Sequence, residues 1–151
     1  MKRTTFPRLF ALAVALFASV SVWAQDPVRV VLRGHDPVAY FTDGKPVVGD
    51  PQFRYDWDEG RYYFASAQHR DMFKADPERY APQFGGYCTG SMAGGNTREG
   101  NPDAWVIRDG KLFVFGAAKW SEVAQKDPAY LPAKVPAAAK NWTEKKSQKT
   151  S

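Results

Sequence analysis

The chain has almost no thiol chemistry to draw on, because Cys88 is its single cysteine. An internal disulfide is therefore excluded, and so is a thiol–disulfide oxidoreductase that needs a resolving second cysteine. Imidazole is nearly as scarce, being confined to His35 and His69. No Gly-Lys-Ser/Thr follows the paired glycines Gly85-Gly86 or Gly94-Gly95, so neither run is a phosphate loop. Long hydrophobic runs are missing too: the uncharged stretch from Leu9 to Val22 is too short to span a membrane. No Ser/Gly linker or low-complexity run divides the chain.

What stands at the start reads as an export signal. Lys2, Arg3 and Arg8 precede or open the uncharged stretch, and Val22 and Ala24 put small residues three and one positions before a cut. Cleavage is expected after Ala24, delivering residues from Gln25 onward to a bacterial periplasm with no membrane anchor. Removing residues 1–24 changes the charge argument. The whole chain carries 21 Lys and Arg against 16 Asp and Glu, but three of the bases lie in the signal, leaving 18 against 16. Lys140, Lys145, Lys146 and Lys149 cluster near the end beside one acid, Glu144, so the body holds 14 bases against 15 acids. A nucleic-acid surface needs a basic stripe on the folded body, and none is present.

The remaining length suits one domain that buries its own core without disulfides. It is expected over residues 25–139, with 140–151 as a solvated lysine-rich tail. Val28 to Leu32 is a β-branched run that predicts a first strand. Asp36-Pro37 predicts a helix start running through Phe41, with Val38 and Phe41 toward the core. Phe53, Tyr55 and Trp57 alternate with polar residues, and Tyr62 and Phe64 resume the alternation after Gly60, which predicts a hairpin with one aromatic face. Ser66 caps a predicted helix through Lys74 with Met72 and Phe73 inward, and Asp76-Pro77 starts a shorter one ending near Tyr80. The second half repeats this grammar. Ala104 to Arg108 and Lys111 to Phe115 flank the turn Asp109-Gly110. A helix from Ala117 to Lys126 follows, with Trp120, Val123 and Ala124 spaced for one buried stripe. Both halves end in a Lys, Asp-Pro, Tyr, Pro series, for which shared helix-capping chemistry is the better explanation and an ancient duplication the alternative. Two antiparallel β-hairpins, each followed by a helix, define an α+β domain.

Several of these segments, taken in order, resemble one family. Gly34-His35-Asp36-Pro37-Val38-Ala39-Tyr40-Phe41, Tyr63-Phe64-Ala65-Ser66, Asp76-Pro77 with Tyr80, and Pro82-Gln83-Phe84-Gly85-Gly86-Tyr87-Cys88 resemble the YHS domain family, in its exported bacterial branch. The likeness continues through Trp105 and Asp109-Gly110-Lys111-Leu112 to Lys140-Asn141-Trp142. The resemblance implies metal handling, since YHS domains occur beside heavy-metal-transporting ATPases in forms whose cysteines look like metal ligands. This chain departs from those forms: Ala39 stands where they carry a cysteine after Asp-Pro-Val, and Gln68, His69 and Arg70 occupy the helix where another lies.

The candidate ligands must therefore come from its own donors, Cys88, Met92, His35 and His69. Thiolate and thioether favour Cu(I), and imidazole also takes Cu(II) or Zn(II). If Cys88 begins a helical turn, Met92 lies on the same face one turn later. The leading expectation is a non-enzymatic binding protein for a soft metal, copper first, around Cys88. The alternative is a metal-free module for a small molecule or a periplasmic protein partner, with Cys88 acting as a small buried hydrophobe. A thiol enzyme, with Cys88 as nucleophile, His35 or His69 as base and Asp36 as orienter, requires an imidazole within hydrogen-bond reach of the sulfur.

Overall fold

The computed structural model describes residues 27–149, and the expected export signal lies outside the described residues. The fold is α+β. The first hairpin pairs β2 (Asp50–Trp57) with β3 (Gly60–Phe64), and a two-residue β1 (Arg29–Val30) joins β3 in parallel. The second pairs β4 (Asn101–Arg108) with β5 (Lys111–Phe115). Helix α1 (Ala39–Thr42) precedes the first hairpin, and α2 (Ala67–Ala75) and α3 (Pro77–Tyr80) follow it; α4 (Thr89–Ala93) precedes the second, and α5 (Ala118–Lys126) and α6 (Tyr130–Lys149) follow that.

The aromatic alternation builds the first sheet as its spacing requires. Tyr62 and Phe64 are buried, Phe53, Tyr55 and Trp57 pack partly buried against the same cluster, and Phe73 of α2 meets the rings from above. The Ser66 hydroxyl accepts from the His69 amide at 3.1 Å, and the Asp76 carboxylate accepts from the Arg79 amide at 3.3 Å, so both caps work as the sequence predicts.

Four expectations need correction. The β-branched run forms only two residues of strand, because Leu32 and Arg33 turn into left-handed backbone with φ of 53° and 50°. The stripe on α5 is rotated: Ser121 and Ala124 are buried, whereas Trp120 and Val123 are exposed. The lysine-rich end is no solvated tail but the last turns of α6, a helix of 20 residues. Its Asn141 amide donates to the Met92 and Ala93 carbonyls, Trp142 faces the Tyr87 ring, and Lys146 pairs with Asp58 at 2.7 Å.

The fourth correction concerns the two halves, which are one motif built twice. Each begins with a tight turn, Val31–Gly34 or Gln83–Gly86, in which three successive residues have positive φ. Each turn is tied down identically, by Gly49 N–H to the Gly34 carbonyl at 2.8 Å and by Gly100 N–H to the Gly86 carbonyl at 3.1 Å. Both hairpins slip register at the same place, between Asp50 and Arg54 and between Asn101 and Trp105. Shared capping chemistry would match helix starts alone; it would not reproduce a left-handed turn, a ladder irregularity and a closing hydrogen bond. The halves are joined across the middle by Tyr40, whose hydroxyl donates to the Pro102 carbonyl at 2.9 Å and whose ring meets Trp105 edge-on.

The duplicated closure needs glycine on both sides. A Cβ on Gly49 would stand 2.6 Å from the Tyr63 carbonyl carbon, and one on Gly100 would stand 2.5 Å from Val114 Cγ2 and 2.8 Å from the Gly86 oxygen. Backbone must move in either case, so Gly49→Ala and Gly100→Ala are each expected to cost about 1–3 kcal/mol. Urea unfolding monitored by circular dichroism reads this as a lowered midpoint at unchanged slope.

Candidate functional site: the cavity over Cys88

The twice-used turn delivers one residue to the same place in each repeat, Asp36 in the first and Cys88 in the second. Each amide is fixed by a carbonyl, Asp36 N–H by Val47 and Cys88 N–H by Arg98, both at 2.8 Å. Beyond that the two sites differ in chemistry and in filling.

The Asp36 side chain is fully buried. Its Oδ1 accepts from the Val38 amide at 2.8 Å and the Ala39 amide at 3.4 Å, and its Oδ2 accepts from the Ala65 amide at 2.8 Å. The same Oδ2 meets His69 Nδ1 at 2.6 Å, and the His69 backbone amide is held by the Ser66 cap at the start of α2. A carboxylate surrounded by donors is a structural anchor, locking the turn, the end of β3 and the first turn of α2 together. Val38 is fully buried beside it.

In the second repeat Gly90 replaces Val38, Gly116 replaces Ala65, Ala117 replaces Ser66 and Trp120 replaces His69. Gly90 and Gly116 are smaller than their counterparts and Trp120 is larger, and together with Cys88 these residues line a cavity of about 590 Å³, within the usual range for small-molecule sites. Neither Gly90 nor Gly116 has left-handed backbone; a Cβ on Gly116 would meet Cys88 Sγ at 3.8 Å and one on Gly90 the Tyr130 hydroxyl at 3.4 Å. Conformation does not demand glycine at these two positions, and a Cβ at either would sit at ordinary contact distance, that on Gly116 also 3.7 Å from Arg98 Cδ, so glycine keeps those contacts from being filled. Trp120 and Tyr130 stack at 6.3 Å with planes 21° apart, forming an aromatic wall. Ser91, Arg98, Lys119 and Lys134 complete the lining, which among the described residues includes no carboxylate. None of the three cations makes an ion pair with a described residue; Lys119 lies 5.1 Å over the Trp120 ring instead. Burial pushes the Tyr130 hydroxyl pKa up, and Cys88 beside it adds to the rise.

The four candidate ligands are thus distributed over separate settings. Cys88 is mostly buried and lines the cavity. The Met92 amide donates to the Cys88 carbonyl at 2.9 Å, so it does follow one helical turn later, but its side chain is enclosed in the second core cluster with Phe84, Phe113 and Phe115. His35 places Nδ1 3.0 Å from the Leu32 carbonyl within its own turn, and His69 is held by Asp36. Among the described residues no group of three or more His, Cys, Asp or Glu side chains is arranged to hold a metal ion. The Asp36–His69 pair that a thiol enzyme would use does form, but in the first repeat, and no histidine lines the cavity at Cys88.

Sequence reasoning missed Arg98, Lys119, Trp120, Tyr130 and Lys134 as site residues. The signal was available in the repeated Asp-Pro endings: laying Asp76-Pro77 on Asp127-Pro128 sets Trp120 against His69 and Gly116 against Ala65. No protein-family model matches the chain, and no curated protein or solved structure matches it.

Proposed function

We propose that this chain is an exported YHS-type domain acting as a non-enzymatic, metal-free binding module, with a small molecule held in the cavity over Cys88. The observation that carries this reading is the contrast between repeats. One fold position is plugged by a hydrogen-bonded carboxylate in the first, and opened by two conformationally unneeded glycines in the second.

A second reading, Cu(I) on Cys88, is favoured by a free thiol lining open space. Against it, three cations share that lining and oppose a further positive charge, and the other proposed donors are engaged elsewhere. Met92 would have to leave the core and His69 would have to abandon Asp36. Anaerobic Cu(I) titration against a competing chelator, on the wild type, Cys88→Ala and Met92→Ala, separates the readings. The metal-free module is expected to lose to the chelator. Tight one-to-one binding that disappears in Cys88→Ala would overturn it in favour of the metal.

A further inference from the structure

Resting on that reading of the cavity, we infer the class of its ligand: a small organic anion, a carboxylate or sulfonate carried on a planar aromatic body. Two features of the lining combine to recognise it. Among the described residues the lining charge is one-sided, with Arg98, Lys119 and Lys134 present and no acid. Clefts lined by one sign of charge over low-dielectric walls concentrate ions of the opposite sign, and the Arg98 guanidinium suits a carboxylate or sulfonate because its donors are arranged as a fork. The opposite requirement, a surface for an apolar body, is met by the Trp120–Tyr130 stack on the wall of a cavity of about 590 Å³. A purely inorganic anion would leave that aromatic wall unused, and a neutral aromatic would leave the three cations without a counter-charge. At the corresponding place in the first repeat neither feature occurs, since Asp36 supplies a negative charge and Val38 fills the space.

Cys88 on the cavity floor reports on both statements. Its thiolate displaces iodide from either iodoacetamide, which is neutral, or iodoacetate, which is anionic, forming a thioether in each case. Reaction with iodoacetamide reads whether the cavity is open. The ratio of the iodoacetate rate to the iodoacetamide rate, divided by the same ratio for glutathione, reads its charge. The expected ratio is several-fold to roughly tenfold above glutathione, collapsing toward one in the Lys119→Gln, Lys134→Gln double variant and in high salt. Benzoate and naphthalene-2-sulfonate are further expected to protect the thiol from iodoacetamide at concentrations where benzyl alcohol does not. Ready reaction with iodoacetamide at a normalised ratio of one or below, or equal protection by benzyl alcohol, would overturn the anion assignment and leave the cavity reading standing. A thiol inert to both reagents until denaturant is added would overturn both.

Discussion

Replacing Asp36 with alanine is expected to lower the unfolding free energy by about 3–5 kcal/mol, the usual cost of removing one partner from a buried charged network. On a domain of this size that corresponds to a fall in melting temperature of roughly 10–20 °C. The loss has identifiable parts. Val38, Ala39 and Ala65 would each keep an amide pointing at an emptied acceptor, and His69 would lose the group that orients its ring. A buried donor left without a partner costs about 1–3 kcal/mol. Asp36→Asn keeps one acceptor oxygen but turns an NH2 group toward donors, so an intermediate loss is expected. The informative comparison is Cys88→Ala at the equivalent position. Its side chain makes no hydrogen bond to a described residue and faces open space, so a loss of about 1 kcal/mol or less is expected. Denaturant curves of the three variants measure this; equal losses at the two positions would mean that Cys88 is an ordinary core residue.

Truncation after Ala139 is expected to be nearly as damaging, about 3 kcal/mol or more, although the removed segment reads in sequence as a solvated tail. Trp142 covers Gly85 so closely that a Cβ there would lie 2.8 Å from the indole, and it also faces Tyr87 at 6.0 Å. Asn141 donates to the Met92 and Ala93 carbonyls at the end of α4, the Met92 carbonyl also accepting from the Gly95 amide at 3.0 Å. The exposed pairs of Lys146 with Asp58 and Lys149 with Glu59 add little, about 0–1 kcal/mol each. Thermal melts of the full and truncated proteins test this. An unchanged midpoint would restore the tail.

Where local chemistry decided the structure, the sequence was legible. The period-two aromatics made β2 and β3, Asp109-Gly110 made the second turn, and Ser66 and Asp76 capped the helices they precede. Where distant packing decided it, the local signal misled. Val31 and Leu32 have β propensity, yet the Gly34 and Gly49 backbones close a left-handed turn over them. Trp120 has the right spacing for a buried stripe, but α5 presents Ser121 and Ala124 to the core because the large indole is taken up by Tyr130 at the cavity. The lysines of α6 resemble a solvated tail because the residues anchoring them, Asn141 and Trp142, are few and find their partners about fifty residues upstream. Cys88 was legible as the residue to ask about. Its setting was not, because that setting depends on what is missing from positions 90 and 116 relative to 38 and 65, and absence shows only when the repeats are superposed.

The most direct measurement rebuilds the first repeat's filling in the second and counts the reactive thiol. Gly90→Val with Gly116→Ala copies Val38 and Ala65 onto the cavity, and neither position has the left-handed backbone that would forbid a side chain. With Ellman's reagent the Cys88 thiolate forms a mixed disulfide and releases 5-thio-2-nitrobenzoate, which is read by absorbance. The native wild type is expected to release one equivalent, its single thiol, without denaturant. The double variant, still folded by circular dichroism, is expected to react at least about tenfold more slowly as steric access to the thiolate is lost. A wild type that releases nothing until unfolded, or a folded double variant that reacts as fast as the wild type, would contradict the open cavity on which the account depends.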